Sequence, residues 1–122
     1  MSDQQAIVDV ALDYIEGWYT ADAARMERAL SSHLAKRRIV SADEIWHIEK
    51  PQMVELTGAG RGKLDDPECG RREVEVLDVH GPMASVKIVS ENFTDCLHLA
   101  RLDGEWRIVN VLWEFHDPSA LA

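Results

Sequence analysis

The sequence predicts an α+β fold in which a helical hairpin, followed by a third helix, packs on a curved antiparallel sheet. Two observations carry this. Near the start of the chain, apolar residues recur at helical spacing. From Arg72 onward, short alternating segments rich in β-branched residues follow one another, joined by turn signals. The helical and extended patterns are segregated along the chain instead of interleaved. That separates this class from a parallel sheet with crossover helices.

The first helix is expected from about Asp3 to Thr20. Ile7, Val10, Ala11, Tyr14, Ile15 and Trp18 form one apolar stripe, and Asp9, Asp13 and Glu16 lie off it. Asp22 is placed to cap a second helix from Ala23 to about His33, with Met26, Ala29, Leu30 and Leu34 on its inner face. The short link between the two predicts an antiparallel hairpin. Arg38-Ile39-Val40 and Ile45-Trp46-His47-Ile48 read as short strands. Pro51 suits the first turn of a third helix, with Met53, Val54 and Leu56 inward.

Gly58, Gly60, Gly62 and Asp65-Asp66-Pro67 then make a loop. The three glycines end a helix instead of joining a strand to one, so they are no dinucleotide fingerprint. Four strands follow: Arg72 to His80, Ala84 to Ser90, Phe93 to Leu102, and Trp106 to Phe115. Gly81-Pro82 and Asp103-Gly104 supply turns. With no linker and no internal repeat, residues 1–122 read as a single domain.

The bulk composition excludes several function classes. Thirteen basic residues against 22 acidic ones give a net charge of −9, which repels phosphate backbones and argues against nucleic acid. The cluster Lys36-Arg37-Arg38 is too short to reverse that, and reads as a strand edge or a local charge pairing. No apolar run approaches the roughly 20 residues of a membrane helix. The polar, acidic start Met1-Ser2-Asp3-Gln4-Gln5 does not look like a signal peptide. Cys69 and Cys96 share no CxxC spacing and do not make a disulfide scaffold, so both read as thiols. A cytoplasmic location is the expectation. Of the five histidines (33, 47, 80, 98 and 116) no pair has the helical spacing of a zinc site. No metal and no cofactor are expected.

Four stretches carry a family resemblance: Tyr14-Ile15-Glu16-Gly17 with Ala21-Asp22 at the hairpin; Leu34-Ala35-Lys36-Arg37; Ala84-Ser85-Val86-Lys87-Ile88; and Leu99-Ala100-Arg101-Leu102-Asp103-Gly104-Glu105-Trp106-Arg107-Ile108-Val109-Asn110. In these the chain resembles the NTF2-like superfamily, in its SnoaL-like and "putative lumazine-binding" branch. The last hairpin is the most specific part. The resemblance implies a cone-shaped fold whose interior holds a small organic molecule. The fold also hosts isomerases, cyclases, hydratases, dehydratases and plain binders, so it does not settle the function.

In the resembling ketosteroid-isomerase branch, a tyrosine at the position of Tyr14 donates to a developing oxyanion, helped by a protonated aspartate on the third long strand. The matching strand position here is read as His98, which can donate, accept or shuttle protons near neutral pH. The general base of that branch would fall at or near Arg38. That base is absent, which argues against steroid isomerisation.

Strand alternation then proposes the lining of the cone. Thr94, Cys96, His98, Ala100 and Leu102 share one face of their strand, with Leu97, Leu99 and Arg101 opposite. Val109, Val111, Trp113 and Phe115 share a face of the last strand, opposite Trp106, Ile108, Asn110 and Leu112. The expected site is therefore Tyr14 and His98 as the polar, proton-handling pair, with Trp18, Trp46, Cys96, Trp113 and Phe115 as binding walls. Each has a plainer reading as well: Tyr14 as a core tyrosine, His98 as a buried histidine bonded to the backbone, Trp46 and Trp113 as packing. Cys96 and His98 lie about 6.5 to 7 Å apart along a strand, too far for an easy thiolate–imidazole pair.

Both sheet faces carry apolar residues. The face with Leu97, Leu99, Ile108 and Leu112 is read as a homodimer surface. The functional expectation is a pocket protein for a small, partly apolar ligand. If it is an enzyme, it acts by proton transfer or carbonyl polarisation. The alternative is a non-catalytic dimeric module that binds a ligand or a protein.

Overall fold

A computed structural model describes residues 2–117. Helix α1 (Asp3–Thr20) and helix α2 (Ala23–Ala29) form the hairpin. Strands β1 (Leu30–Ile39) and β2 (Ile45–Ile48), helix α3 (Lys50–Gly58), a single helical turn (Pro67–Cys69), and strands β3 (Arg72–His80), β4 (Met83–Ser90), β5 (Phe93–Leu102) and β6 (Glu105–Phe115) follow. The six strands make one open sheet in the order β2-β1-β6-β5-β4-β3. The helices lie together over one face of this curved sheet, as the segregated pattern predicts.

Local chemistry sets the element ends. The Ser2 hydroxyl accepts from the Gln5 amide at 3.2 Å and starts α1. Asp22 caps α2 by accepting from the Arg25 amide at 3.1 Å, as expected. Pro51 sits in the first turn of α3, and Gln52 closes a capping box by accepting from the Glu49 amide at 3.0 Å. Asp103 and Gly104 both take positive φ, 52° and 80°, which a two-residue turn between twisted strands requires. The α1 stripe is buried at Ile7, Ala11, Tyr14 and Ile15, while Trp18 is half-buried. Glu16 and Asp13 of α1 pair with Arg25 of α2 at 2.8 and 3.0 Å, and Glu16 also pairs with Arg72 of β3 at 2.9 Å.

Four sequence expectations are corrected. First, α2 ends at Ala29 and not near His33, because the chain becomes β1 at Leu30. Leu30 and Leu34 are both buried, and a spacing of four places two residues on one face of a helix or of a strand alike. Second, β1 runs parallel to its neighbour β6, so the sheet is mostly but not wholly antiparallel.

Third, β5 presents its other face to the helices. Asp95, Leu97 and Leu99 are buried, whereas Cys96 and His98 are exposed. The larger apolar set faces the core, since Leu97 and Leu99 bury more apolar surface than a cysteine and a histidine would. Fourth, the β5–β6 register shifts between His98 and Leu99, so that His98 pairs with Asn110 and Leu99 with Ile108. The extra residue reverses the alternation of β6. Trp106 and Ile108 therefore share the inner face with Val111, Trp113 and Phe115. Of the four leucine and isoleucine residues expected on the outer face, Leu97, Leu99 and Ile108 belong to the core and only Leu112 stands outside, 51% exposed.

Candidate functional site

β1 alternates cleanly through its basic run, so the three charges do not act together. Arg37 points out, while Lys36 and Arg38 point to the inner face. The Lys36 side chain enters a cavity of about 320 Å³ between the sheet, α1 and α3. Trp18 of α1, Met53 and Leu56 of α3, Trp46, His47 and Ile48 of β2, Phe93 of β5, and Trp113 and Phe115 of β6 form its walls, and Arg61 stands at its rim.

The aromatic side chains pack against one another as well as around the space. Trp113 meets Phe115 edge-on at 4.9 Å between ring centroids and Phe93 at 5.2 Å, and lies 6.3 Å from Trp46. Such tilted and edge-to-face contacts fix ring orientation. Arg38, only 7% exposed in its side chain, stacks over Trp46 and Phe115 at 4.9 and 5.0 Å. Its Nε donates to Glu114 at 2.8 Å. A guanidinium stacked on rings and tied to a carboxylate holds the aromatic cluster in place.

The polar floor is a chain of three groups. The Lys36 ammonium donates to the Tyr14 hydroxyl at 2.8 Å, and that hydroxyl donates to Asp95 Oδ2 at 2.8 Å. Lys36 Nζ also contacts Met53 Sδ at 3.6 Å. It lies 5.3, 5.4 and 5.7 Å from the ring centroids of Tyr14, Trp113 and Trp18. Tyr14 is 1% exposed and Asp95 6%. Burial raises the Asp95 pKa, against the Lys36 charge and the Tyr14 hydrogen bond that lower it. Burial lowers the Lys36 pKa, against the Asp95 charge that supports its ammonium. Burial first, and then the Asp95 charge, push the Tyr14 phenol well above its ordinary value.

A phenol has one proton and two lone pairs. Here the proton goes to Asp95 and a lone pair to Lys36. Tyr14 therefore has no proton to offer the cavity while Asp95 is ionised, and Lys36 is the polar group that a bound molecule meets at the cavity floor.

Of the residues predicted from sequence, Trp18, Trp46, Trp113 and Phe115 line this cavity and Tyr14 lies directly behind Lys36. His98 and Cys96 do not join them. They open onto a shallow depression on the outer sheet face beside Arg37, Asn110 and Leu112, with His98 Nδ1 3.4 Å from Asn110 Nδ2. The third-strand partner of Tyr14 is Asp95. Both Asp95 and Lys36 escaped the sequence reading. The signal for Asp95 was its place on the same face as Leu97 and Leu99. The signal for Lys36 was the two-residue period of a basic run on a strand. Among the described residues no group of three histidine, cysteine or acidic side chains converges on one point. Cys69 and Cys96 are exposed free thiols.

The family model described as "Putative lumazine-binding" matches residues 2–114. No curated protein matches the sequence. The fold is similar to an NTF2-like protein of unknown function from Shewanella baltica, with 21% identity, 96% of this chain and 98% of that one covered, and a TM-score of 0.73. It is also similar to an NTF2-like protein from Cytophaga hutchinsonii, with 15% identity, coverages of 94% and 99%, and a TM-score of 0.72. A ketosteroid isomerase-like protein from Erwinia carotovora atroseptica has 12% identity, coverages of 97% and 100%, and a TM-score of 0.70.

Proposed function

The chain belongs to the putative lumazine-binding family, with an NTF2-like fold, and from that membership and the make-up of its cavity we propose that it binds a small, flat, partly apolar organic molecule. The ring system lies among Trp18, Trp46, Phe93, Trp113 and Phe115. A carbonyl or other electron-rich oxygen of the molecule faces the Lys36 ammonium. Tyr14 and Asp95 act through Lys36. The hydroxyl holds the ammonium in position, and the carboxylate supplies its counter-charge.

The observation that carries this reading is the Lys36–Tyr14–Asp95 chain at the floor of an aromatic cavity. A charged donor there polarises a carbonyl more strongly than it would in water, because the surroundings screen it less. Turnover, where it occurs, uses Lys36 to stabilise negative charge developing on that oxygen. Among the described residues, the cavity walls contain no carboxylate to act as a base. That specific lack favours a second reading, in which the protein binds without catalysing.

A thermal-shift series with one- and two-ring heteroaromatic carbonyl compounds tests the proposal. A ligand present at about a hundred times its dissociation constant adds about 2.7 kcal/mol to folding stability. Lys36→Met should abolish the shift. If no compound of this class raises the melting temperature, the binding proposal fails.

A homodimer remains part of the proposal, on a face that keeps only Leu112 of the four residues the sequence suggested. Ile39 and Leu112, 47% and 51% exposed, border one depression of the outer sheet face with Thr94 and Cys96. A second copy covering that face would remove both from water.

A further inference from the structure

We propose that the cavity selects an aromatic acid: a one- or two-ring planar molecule whose ring oxygen meets Lys36 and whose carboxylate meets Arg61 at the rim. This rests on the small-molecule reading of the cavity and adds the charge of the ligand to it.

The first argument is the charge of the lining. The chain carries 22 acidic residues against 13 basic ones. The cavity reverses that balance. Among the described residues, Lys36 and Arg61 line it, His47 borders it, and no aspartate or glutamate does. Asp95 lies behind Tyr14 and is engaged by its hydroxyl. Glu114 is engaged by Arg38. Neither acid is left to attract a cationic ligand.

The second argument separates the two cations. The charge of Lys36 is already offset by Asp95 through the Tyr14 hydroxyl. Its remaining donor capacity suits a neutral or partly charged oxygen. The Arg61 guanidinium makes no side-chain hydrogen bond or ion pair with any described residue. Five N–H donors in a planar fork match a carboxylate edge to edge. The uncompensated charge is therefore at the rim, and the anion belongs there.

The third argument is shape. A cavity of about 320 Å³ lies at the small end of ligand sites, which start near 300 Å³. It accepts one or two rings between the aromatic walls and leaves a substituent at the rim. Trp46, 42% exposed beside that rim, gains cover when a ring stacks on it.

The test uses 6-hydroxy-2-naphthoate and its uncharged carboxamide as probes, measured by isothermal titration calorimetry on the wild type and on Arg61→Gln. Arg61 is exposed, so this variant leaves the core untouched. The naphthoate is expected to bind about five- to tenfold more tightly than the amide, a margin typical of one partly exposed charged hydrogen-bonded pair. Raising the salt concentration narrows the margin, and Arg61→Gln removes it. Equal binding of the two probes overturns the acid assignment and leaves the pocket reading intact. A preference for the naphthoate that survives in Arg61→Gln overturns the role of Arg61. Failure of both probes to bind overturns the pocket reading and the acid assignment together.

Discussion

Tyr14 and Asp95 are 81 positions apart in the chain and share a buried hydrogen bond of 2.8 Å. The bond ties the middle of α1 to the middle of the sheet. It also sets the direction of every proton at the cavity floor, because the Tyr14 hydroxyl can then only accept from Lys36. A residue that looks like a donor to ligand is, by this geometry, the bracket that positions another donor.

Tyr14→Phe should therefore cost more than a single ordinary hydrogen bond. Removing the hydroxyl leaves the buried Asp95 without its donor and takes an acceptor from Lys36. A loss of about 1–3 kcal/mol is expected for an unsatisfied buried polar group. Urea denaturation of the wild type and the variant measures it. An unchanged midpoint would mean that Lys36 and Asp95 close directly on each other and that the hydroxyl is dispensable.

The raised pKa of Asp95 makes part of the stability depend on pH. Between its ordinary pKa and its raised folded value, the folded protein holds a proton that the unfolded chain has released. Stability therefore falls as pH rises through that window. The lowered pKa of Lys36 acts in the opposite sense, at the alkaline end. There the unfolded chain holds the extra proton, and stability rises with pH. Asp95→Asn removes the first effect. The stability of the wild type minus that of Asp95→Asn should fall from about pH 4 upward and level off above the folded pKa. Urea midpoints across that range report it. A difference that rises with pH, or stays constant, contradicts the burial of an ionisable Asp95.

Gly62 touches the cavity wall from behind. A Cβ at this position would overlap the Trp18 indole ring. Gly62→Ala should push Trp18 toward the cavity, cost about 1–3 kcal/mol as overpacking does, and weaken binding of any ring-shaped ligand. Thermal unfolding and titration with 6-hydroxy-2-naphthoate check both effects. A variant with wild-type stability and affinity would show that the loop moves away from Trp18 without cost.

The outer sheet face carries the dimer prediction. Light scattering at micromolar concentration should give about twice the 13.8 kDa chain mass. Leu112→Asp should return a monomer that keeps its fold, since Leu112 is 51% exposed in the single chain. A wild type of monomer mass refutes the dimer.

Much of the architecture was legible in the sequence, because periodicity is a local property. The α1 stripe, the Asp22 cap, Pro51 at the start of α3 and the Asp103-Gly104 turn each depend on neighbours within a few residues. The aromatic walls Trp18, Trp46, Trp113 and Phe115 were legible for a related reason, since large rings on inward faces leave a space between them.

Tertiary structure alone decided which face of β5 turns inward. Alternation separates Asp95, Leu97 and Leu99 from Cys96 and His98, but it does not say which set meets the helices. The burial of two leucines decided that, and it carried Asp95 to Tyr14 and His98 to the outer face. The bulge in β6 was equally invisible, because one unpaired residue reverses a strand's faces and leaves no compositional mark. Lys36 lay between the two cases. Its inward direction follows from alternation once β1 is known to start before Leu34, a residue that faces the core. That start was hidden, because the four-residue spacing of Leu30 and Leu34 satisfies a helix and a strand equally.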